Sequence, residues 1–153
     1  MIREYRVGDL DRMFQLDEIC FEAPFQFDRE SVRMFAEAKT AIALVAEDDG
    51  GEIAGFLIVH VEGAGGGRRG YVVTLDVAPT CRRAGLAGRM MDKAERQVGL
   101  VGGRWMELHV FVENEGAVRF YEGRGYERMG RRQGFYDAGN VGLDAFVYRK
   151  NLN

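Results

Sequence analysis

Cysteine and proline are nearly absent from this 153-residue chain, with two of each, and histidine occurs only at positions 60 and 109. Cys20 and Cys81 are too few for a disulfide scaffold and lack the paired spacing of a metal site, which points to a reducing compartment, the cytoplasm, and calls for no metal. A positive excess is missing as well. The net charge of −3 provides no general field for nucleic acid or an acidic membrane, although Arg68-Arg69, Arg82-Arg83 and Arg131-Arg132 form local pairs. The longest apolar run, Ile53 to Val61, is too short to cross a bilayer, and Met-Ile-Arg-Glu-Tyr has no apolar signal core. Scarce proline, 46% hydrophobic and 29% charged residues exclude a disordered or collagen-like chain. Glycine is the one excess, at 21. A chain of this length buries roughly 70% of its unfolded surface in one core. No repeat or linker divides it, so residues 1–153 read as a single domain.

What is present alternates between strand and helix patterns. Ile2 to Arg6 reads as a strand, after which Asp9 is placed to cap a helix carrying Leu10, Met13, Phe14, Leu16 and Ile19 at helical spacing. Asp28 is placed to cap a second helix through Val32, Phe35 and Ala36 that ends before Thr40. Ile42 to Glu47, the turn Asp48-Asp49-Gly50-Gly51 and Glu52 to Glu62 predict an antiparallel hairpin. The Gly63 to Gly70 connection reads as a mobile turn before a β-branched fourth strand, Tyr71 to Val77. Leu86, Met90, Met91, Ala94 and Val98 then recur at helical spacing until Gly99, Gly102 and Gly103 stop the helix. A fifth strand is expected over Arg104 to Val112, a short helix over Asn114 to Arg124, and two closing strands over Tyr126 to Phe135 and Leu143 to Lys150.

The segment Val77 to Met91 places a strand end, a turn and a helix start in that order. The first N–H groups of a helix lack internal partners and carry the positive end of its dipole, so a pyrophosphate can accept from several at once. Gly85 removes a side chain that would block close approach, Leu86 anchors the helix, and Arg82 and Arg83 add charge. A Walker loop is disfavoured because no Gly-Lys-Ser/Thr follows, and a dinucleotide fold because the preceding units are hairpins.

Arg82-x-x-Gly85-x-Ala87 resembles the acetyl-CoA-binding turn of the GNAT superfamily of N-acetyltransferases. Asn114-x-x-Ala117-x-x-Phe120-Tyr121-x-x-x-Gly125-Tyr126 is similar to the family's later motif, and the element order matches over nearly the whole chain. The resemblance implies an α/β (α+β) GNAT fold: a mixed, mostly antiparallel sheet of about seven strands, helices on both faces, and strands four and five splayed to admit the pantetheine arm. It implies acetyl-CoA as cosubstrate, held by Leu75, Val77, Arg82, Arg83, Ala84, Gly85, Leu86, Ala87 and Asn114. It also implies that Tyr121 presents its hydroxyl to the thioester sulfur. A phenol of pKa about 10 can donate a proton or hydrogen bond to a thiolate whose conjugate acid has a pKa near 8.5.

Alternation over the fifth strand puts Trp105, Glu107, His109 and Phe111 on one face, with Met106, Leu108, Val110 and Val112 in the core. An imidazole suits an α-amine of pKa about 7.7–8.0 better than a lysine near 10.4. Leu108-His109-Val110 and Tyr71-Val-Val-Thr-Leu75 resemble strands of eukaryotic protein Nα-acetyltransferases, which makes His109 and Tyr71 a candidate base pair. In that branch the strand after Thr-Leu is one residue longer than here. Bacterial RimI-like enzymes, which acetylate ribosomal-protein N-termini, resemble the chain equally and tend to place a glutamate where His109 stands. Pro24-Phe25 and Phe135-Tyr136 resemble the loops that clamp a peptide in these enzymes, with Phe135 in place of a tyrosine.

The expected reaction is direct transfer, in a ternary complex, to the N-terminal α-amine of a peptide or protein, a ribosomal protein among the candidates, by a monomer or homodimer. Two alternatives stay open: a small amine such as a polyamine or amino-sugar, bound by Glu22, Asp28, Glu107 and Glu113, and a non-catalytic acyl-CoA-binding module. His60 reads as structural and Cys81 as incidental.

Overall fold

The computed structural model describes every residue except Pro24, Arg83, 137–142 and Asn153. Seven strands form one sheet in the order β1-β2-β3-β4-β5-β7-β6, with β1 Ile2–Glu4, β2 Ala41–Glu47, β3 Ile53–Glu62, β4 Arg69–Val77, β5 Trp105–Phe111, β6 Glu127–Arg132 and β7 Ala145–Asn151. Helices α1 (Leu10–Cys20) and α2 (Arg29–Glu37) cover one face through Leu10, Met13, Leu16 and Val32, which meet Val45, Phe56 and Ile58. Helices α3 (Leu86–Leu100) and α4 (Glu115–Gly123) cover the other. There Met90, Met91, Ala94 and Val98 pack against Leu44, Leu57, Val59 and Met106. Burying each large side chain of this kind stabilises the fold by about 1.5–3 kcal/mol.

Every neighbouring pair of strands is antiparallel except β4 and β5. These run parallel and pair only at Arg69–Trp105, Gly70–Met106 and Tyr71–Glu107. Gly70 permits that close junction, because a Cβ there would lie 2.7 Å from Val98 and 2.8 Å from Met106. Immediately afterwards the β3–β4 register slips, with Ile58 opposite Thr74 but Val59 opposite Val72, leaving Val73 as an extra residue. Such a bulge bends its strand and sharpens the twist. It turns β4 away from β5, so the splay expected between strands four and five is present.

Two local expectations are corrected. Asp9 does not cap α1: its carboxylate accepts from the Arg6 backbone N–H at 2.7 Å and from two Arg3 guanidinium nitrogens at 2.8 Å. The part-buried ion pair competes with the helix end for the same oxygens and wins. Nor does Gly99 stop α3, which runs to Leu100; Gly102, with φ 91°, and Gly103, donating to the Val98 carbonyl at 2.8 Å, end it. The Asp28 cap is present, accepting from Ser31 N at 2.7 Å.

Candidate active site

The mouth of the β4–β5 splay is built by the β4 end, the turn Pro79–Cys81 and the first turn of α3. Gly85 supplies the helix entry with φ 80°, a left-handed conformation that L side chains rarely adopt. A Cβ on Gly85 would meet nothing within 4 Å, so open space lies in front of it. Leu86 is buried behind, Ala84 and Gly85 are exposed, and Ala87 is half-buried. The first intrahelical donor after Gly85 is Arg89, to Gly85 O at 3.1 Å, so the N–H groups of Leu86 and Ala87 belong to the orphan set of a helix start.

Other residues expected here are partly committed to the fold. Arg82 donates through Nε to the Val77 carbonyl at 3.1 Å, and the Cys20 thiol shares that carbonyl at 3.3 Å. Leu75 and Val77 pack against the α3 and α4 side of the core. Asn114 caps α4, accepting from Ala117 N at 3.2 Å, a role the sequence pattern did not disclose. Arg83 and Pro24 lie outside the described residues.

Tyr121 projects from α4 into the interior, 7% exposed, edge-on to Phe120 at 5.1 Å and Tyr126 at 5.5 Å. Burial pushes its phenol above the ordinary value, and the neighbouring Asp76 and Tyr136 add to the effect. It therefore stays protonated over the whole neutral range.

Across the splay, the Tyr71 hydroxyl and His109 Nδ1 are 2.8 Å apart. The register explains the meeting, because Tyr71 and Glu107 are paired residues and His109 lies two positions along the same face of β5. Burial pushes Tyr71 up to about 12, reinforced by Glu62 and Glu107. Burial moves His109 the other way, below its ordinary value, and the positive Arg132 deepens the shift. Among the described residues, buried His109 Nε2 has no hydrogen-bond partner. Phe135 lies flat on the imidazole, centroids 4.1 Å apart and planes within 7°. Phe25 packs on Phe111 and on Tyr136, both at 4.8 Å, and Tyr136 stands edge-on to Phe135 at 5.0 Å. The two aromatic loops thus close over β5 together.

Arg132 is the neighbour that sequence reasoning passed over. It is opposite Ala145 on β7, which is opposite Phe111 on β5, and its guanidinium is 5.6 Å from the Phe135 ring centre. The carboxylates named for a small amine do not gather. Asp28 caps α2, Glu107 accepts from the Trp105 indole at 3.4 Å, and Glu22 and Glu113 are exposed. Among the described residues no three His, Cys, Asp or Glu side chains group to hold a metal. His60 makes a structural contact with the Phe35 carbonyl at 2.9 Å.

A slot between two strands of one sheet, ending at a helix N-terminus, fits a thin acyl-bearing arm with a phosphate at its far end, and so defines an acyl-CoA-dependent transferase. The chain belongs to the acetyltransferase (GNAT) family, which matches residues 10–126, and it is an N-acetyltransferase. It is 29% identical to the N-alpha-acetyltransferase daf-31 of Caenorhabditis elegans over 154 residues, 99% of this chain and 82% of the relative. The NAA10 catalytic subunit of the N-terminal acetyltransferase A complex of Arabidopsis thaliana is also 29% identical, over 99% of this chain and 77% of its own. Among solved structures, the ribosomal-protein-S18-alanine N-acetyltransferase of Escherichia coli superposes with TM-score 0.84 at 17% identity, covering 100% of this chain and 94% of that one. Arabidopsis NAA60 with a bisubstrate analogue gives 0.85 at 22%, covering 100% and 98%.

Proposed function

We propose that this enzyme transfers acetyl from acetyl-CoA to the N-terminal α-amine of a peptide or protein, a ribosomal protein being one candidate, by direct attack in a ternary complex in the cytoplasm. Acetyl-CoA, when bound, supplies the acyl group as a thioester. The open space before Gly85, the orphan N–H groups of Leu86 and Ala87 and the splay beyond Tyr71 fit its phosphates and its arm. Arg82, Arg83 and Asn114 would add charge and polar contacts along it.

His109 takes the proton from the attacking amine, directly or through water. In the tautomer whose Nδ1–H donates to the Tyr71 oxygen, Nε2 is the nitrogen left to accept. Its lowered pKa keeps the imidazole neutral at neutral pH. An α-amine is the matched partner, because a lysine holds its proton about 3.5 kcal/mol more tightly. Tyr121 donates to the departing sulfur; its raised pKa guarantees that the proton is there to give. Phe25, Phe135 and Tyr136, with Pro24, would hold the first residues of the peptide, so the larger part of the rate comes from orientation.

One observation carries this reading: the Tyr71–His109 pair lies directly beneath the two converged aromatic loops. Peptides with free N-termini, offered beside the same peptides blocked at the terminus but bearing lysine, test it by release of CoA thiol. Turnover of the free peptides is expected. Turnover of only the blocked peptides, or of spermidine alone, would reject the assignment.

A further inference from the structure

Two carboxyl groups are buried where the β4 end meets α1, and no step of the transfer uses them. Asp17 and Asp76 are 0% and 1% exposed. Asp17 Oδ2 accepts from the Phe27 backbone N–H at 2.7 Å, and Asp76 Oδ1 accepts from the Thr74 hydroxyl. Among the described residues the remaining oxygens, Asp17 Oδ1 and Asp76 Oδ2, are buried and have no hydrogen-bond partner. The two carboxyls are electrostatic neighbours where α1 meets the β4 end, beside the Cys20 thiol that donates to the Val77 carbonyl at 3.3 Å. Two carboxylates only accept, so these orphan oxygens can satisfy each other only if one carries a proton. Such a bond completes a chain from the Phe27 amide through Asp17 to Asp76 on β4. Phe27 is two residues from Phe25, whose ring roofs the acceptor side against Phe111 and Tyr136.

We propose that Asp17 and Asp76 are positioning residues for the acceptor: one shared proton clamps the α1–α2 loop, and Phe25 with it, onto the strand end that lines the acyl slot. The proposal rests on the peptide-acceptor reading above. Leaving both groups ionised in so dry a place is unfavourable, and burial pushes both carboxyls up, Asp76 further. The groups facing them are the Cys20 thiol from α1, Arg82 from the turn after β4 and the Tyr121 phenol from α4. The Thr74 hydroxyl, the Phe27 amide and Arg82 favour ionisation, but burial outweighs them, and Arg82 Nε is held by the Val77 carbonyl. When alkali removes the shared proton to solvent, two anions face each other and the loop loses its anchor. Asp76→Asn replaces the O–H donor by an amide N–H that does not titrate.

The backbone amide resonance of Phe27 in ¹⁵N-labelled protein, followed from about pH 6 to pH 10, reads the clamp without any acceptor. It is expected to move with pH in the wild type and to stay in place in Asp76→Asn. Kinetics read the consequence: Asp76→Ala is expected to raise the peptide KM about tenfold while acetyl-CoA affinity stays within about twofold, as for a misplaced acceptor. An identical Phe27 titration in wild type and Asp76→Asn, or its absence from both, overturns the proposal. So does an Asp76→Ala enzyme whose two affinities fall together or neither falls. If Asp76→Ala does not fold, the comparison of wild type with Asp76→Asn decides. If the wild type acetylates no free-amine peptide, the acceptor reading fails alone, and the Phe27 amide still decides the clamp.

Discussion

At the scale of single residues, the proposed proton traffic falls to three side chains with different environments, Tyr121, His109 and Tyr71. Tyr121→Phe removes the proposed donor to sulfur without changing shape; kcat is expected to fall by about 10²-fold, with acetyl-CoA affinity measured by calorimetry unchanged. His109 gives a pH signature. Its folded pKa lies below the ordinary 6.5 because burial and Arg132 disfavour the imidazolium, so the acidic limb of kcat/KM should fall at lower pH than an unperturbed histidine would set. Arg132→Gln removes the positive neighbour and should move that limb to higher pH; an unmoved limb would separate Arg132 from the base. Of this site, Tyr121, Tyr71 and His109 were legible, because a motif or a strand alternation singled each out. The stacking of Phe135 on His109, the approach of Arg132 and the burial of Asp17 and Asp76 at the α1–β4 junction were not, because each depends on a register or a loop path that no local pattern encodes. Asp76 did leave one trace: a carboxyl in the middle of the β-branched run 71–77 has to be either exposed or partnered.

At the scale of elements, the positions and types of strands and helices could be read from periodicity and turn residues. The Asp9 capping and the Gly99 boundary deviate for local reasons, since side-chain partners and later glycines outcompeted the signals in the sequence. What could not be read is that β7 inserts between β5 and β6. Tyr148 fixes that placement from the interior, donating to Glu122 on α4 at 2.6 Å and receiving the Arg128 guanidinium of β6 at 3.2 Å. Gly85 carries the prediction at this scale. The space around it is open, so a substitution costs backbone conformation and not a clash. Gly85→Val should destabilise the helix entry by about 1–2 kcal/mol and raise the KM for acetyl-CoA more than that for the acceptor, as steady-state kinetics with each substrate varied would show. An equal rise in both would detach this turn from the cofactor.

At the scale of the whole molecule, the buried acid pair links stability to pH. Folded Asp17 and Asp76 hold their protons more tightly than the unfolded chain, whose aspartates titrate near 3.9. Their contribution is complete below that value and is lost as pH rises through the folded pKa values. Asp76→Asn should accordingly raise Tm by about 2–4 °C in mildly alkaline buffer, with little effect in acid, by scanning calorimetry. The same molecule brings the proposed cofactor slot of the β4–β5 splay and an aromatic roof to a single Tyr–His pair, and the proposed choice of an α-amine depends on that convergence. The most direct measurement is fragmentation mass spectrometry of one peptide that carries both a free N-terminus and an internal lysine, after incubation with enzyme and acetyl-CoA. Acetyl on the first residue's α-nitrogen and not on the lysine is the predicted result; acetyl on the lysine Nζ with the terminus free would contradict it.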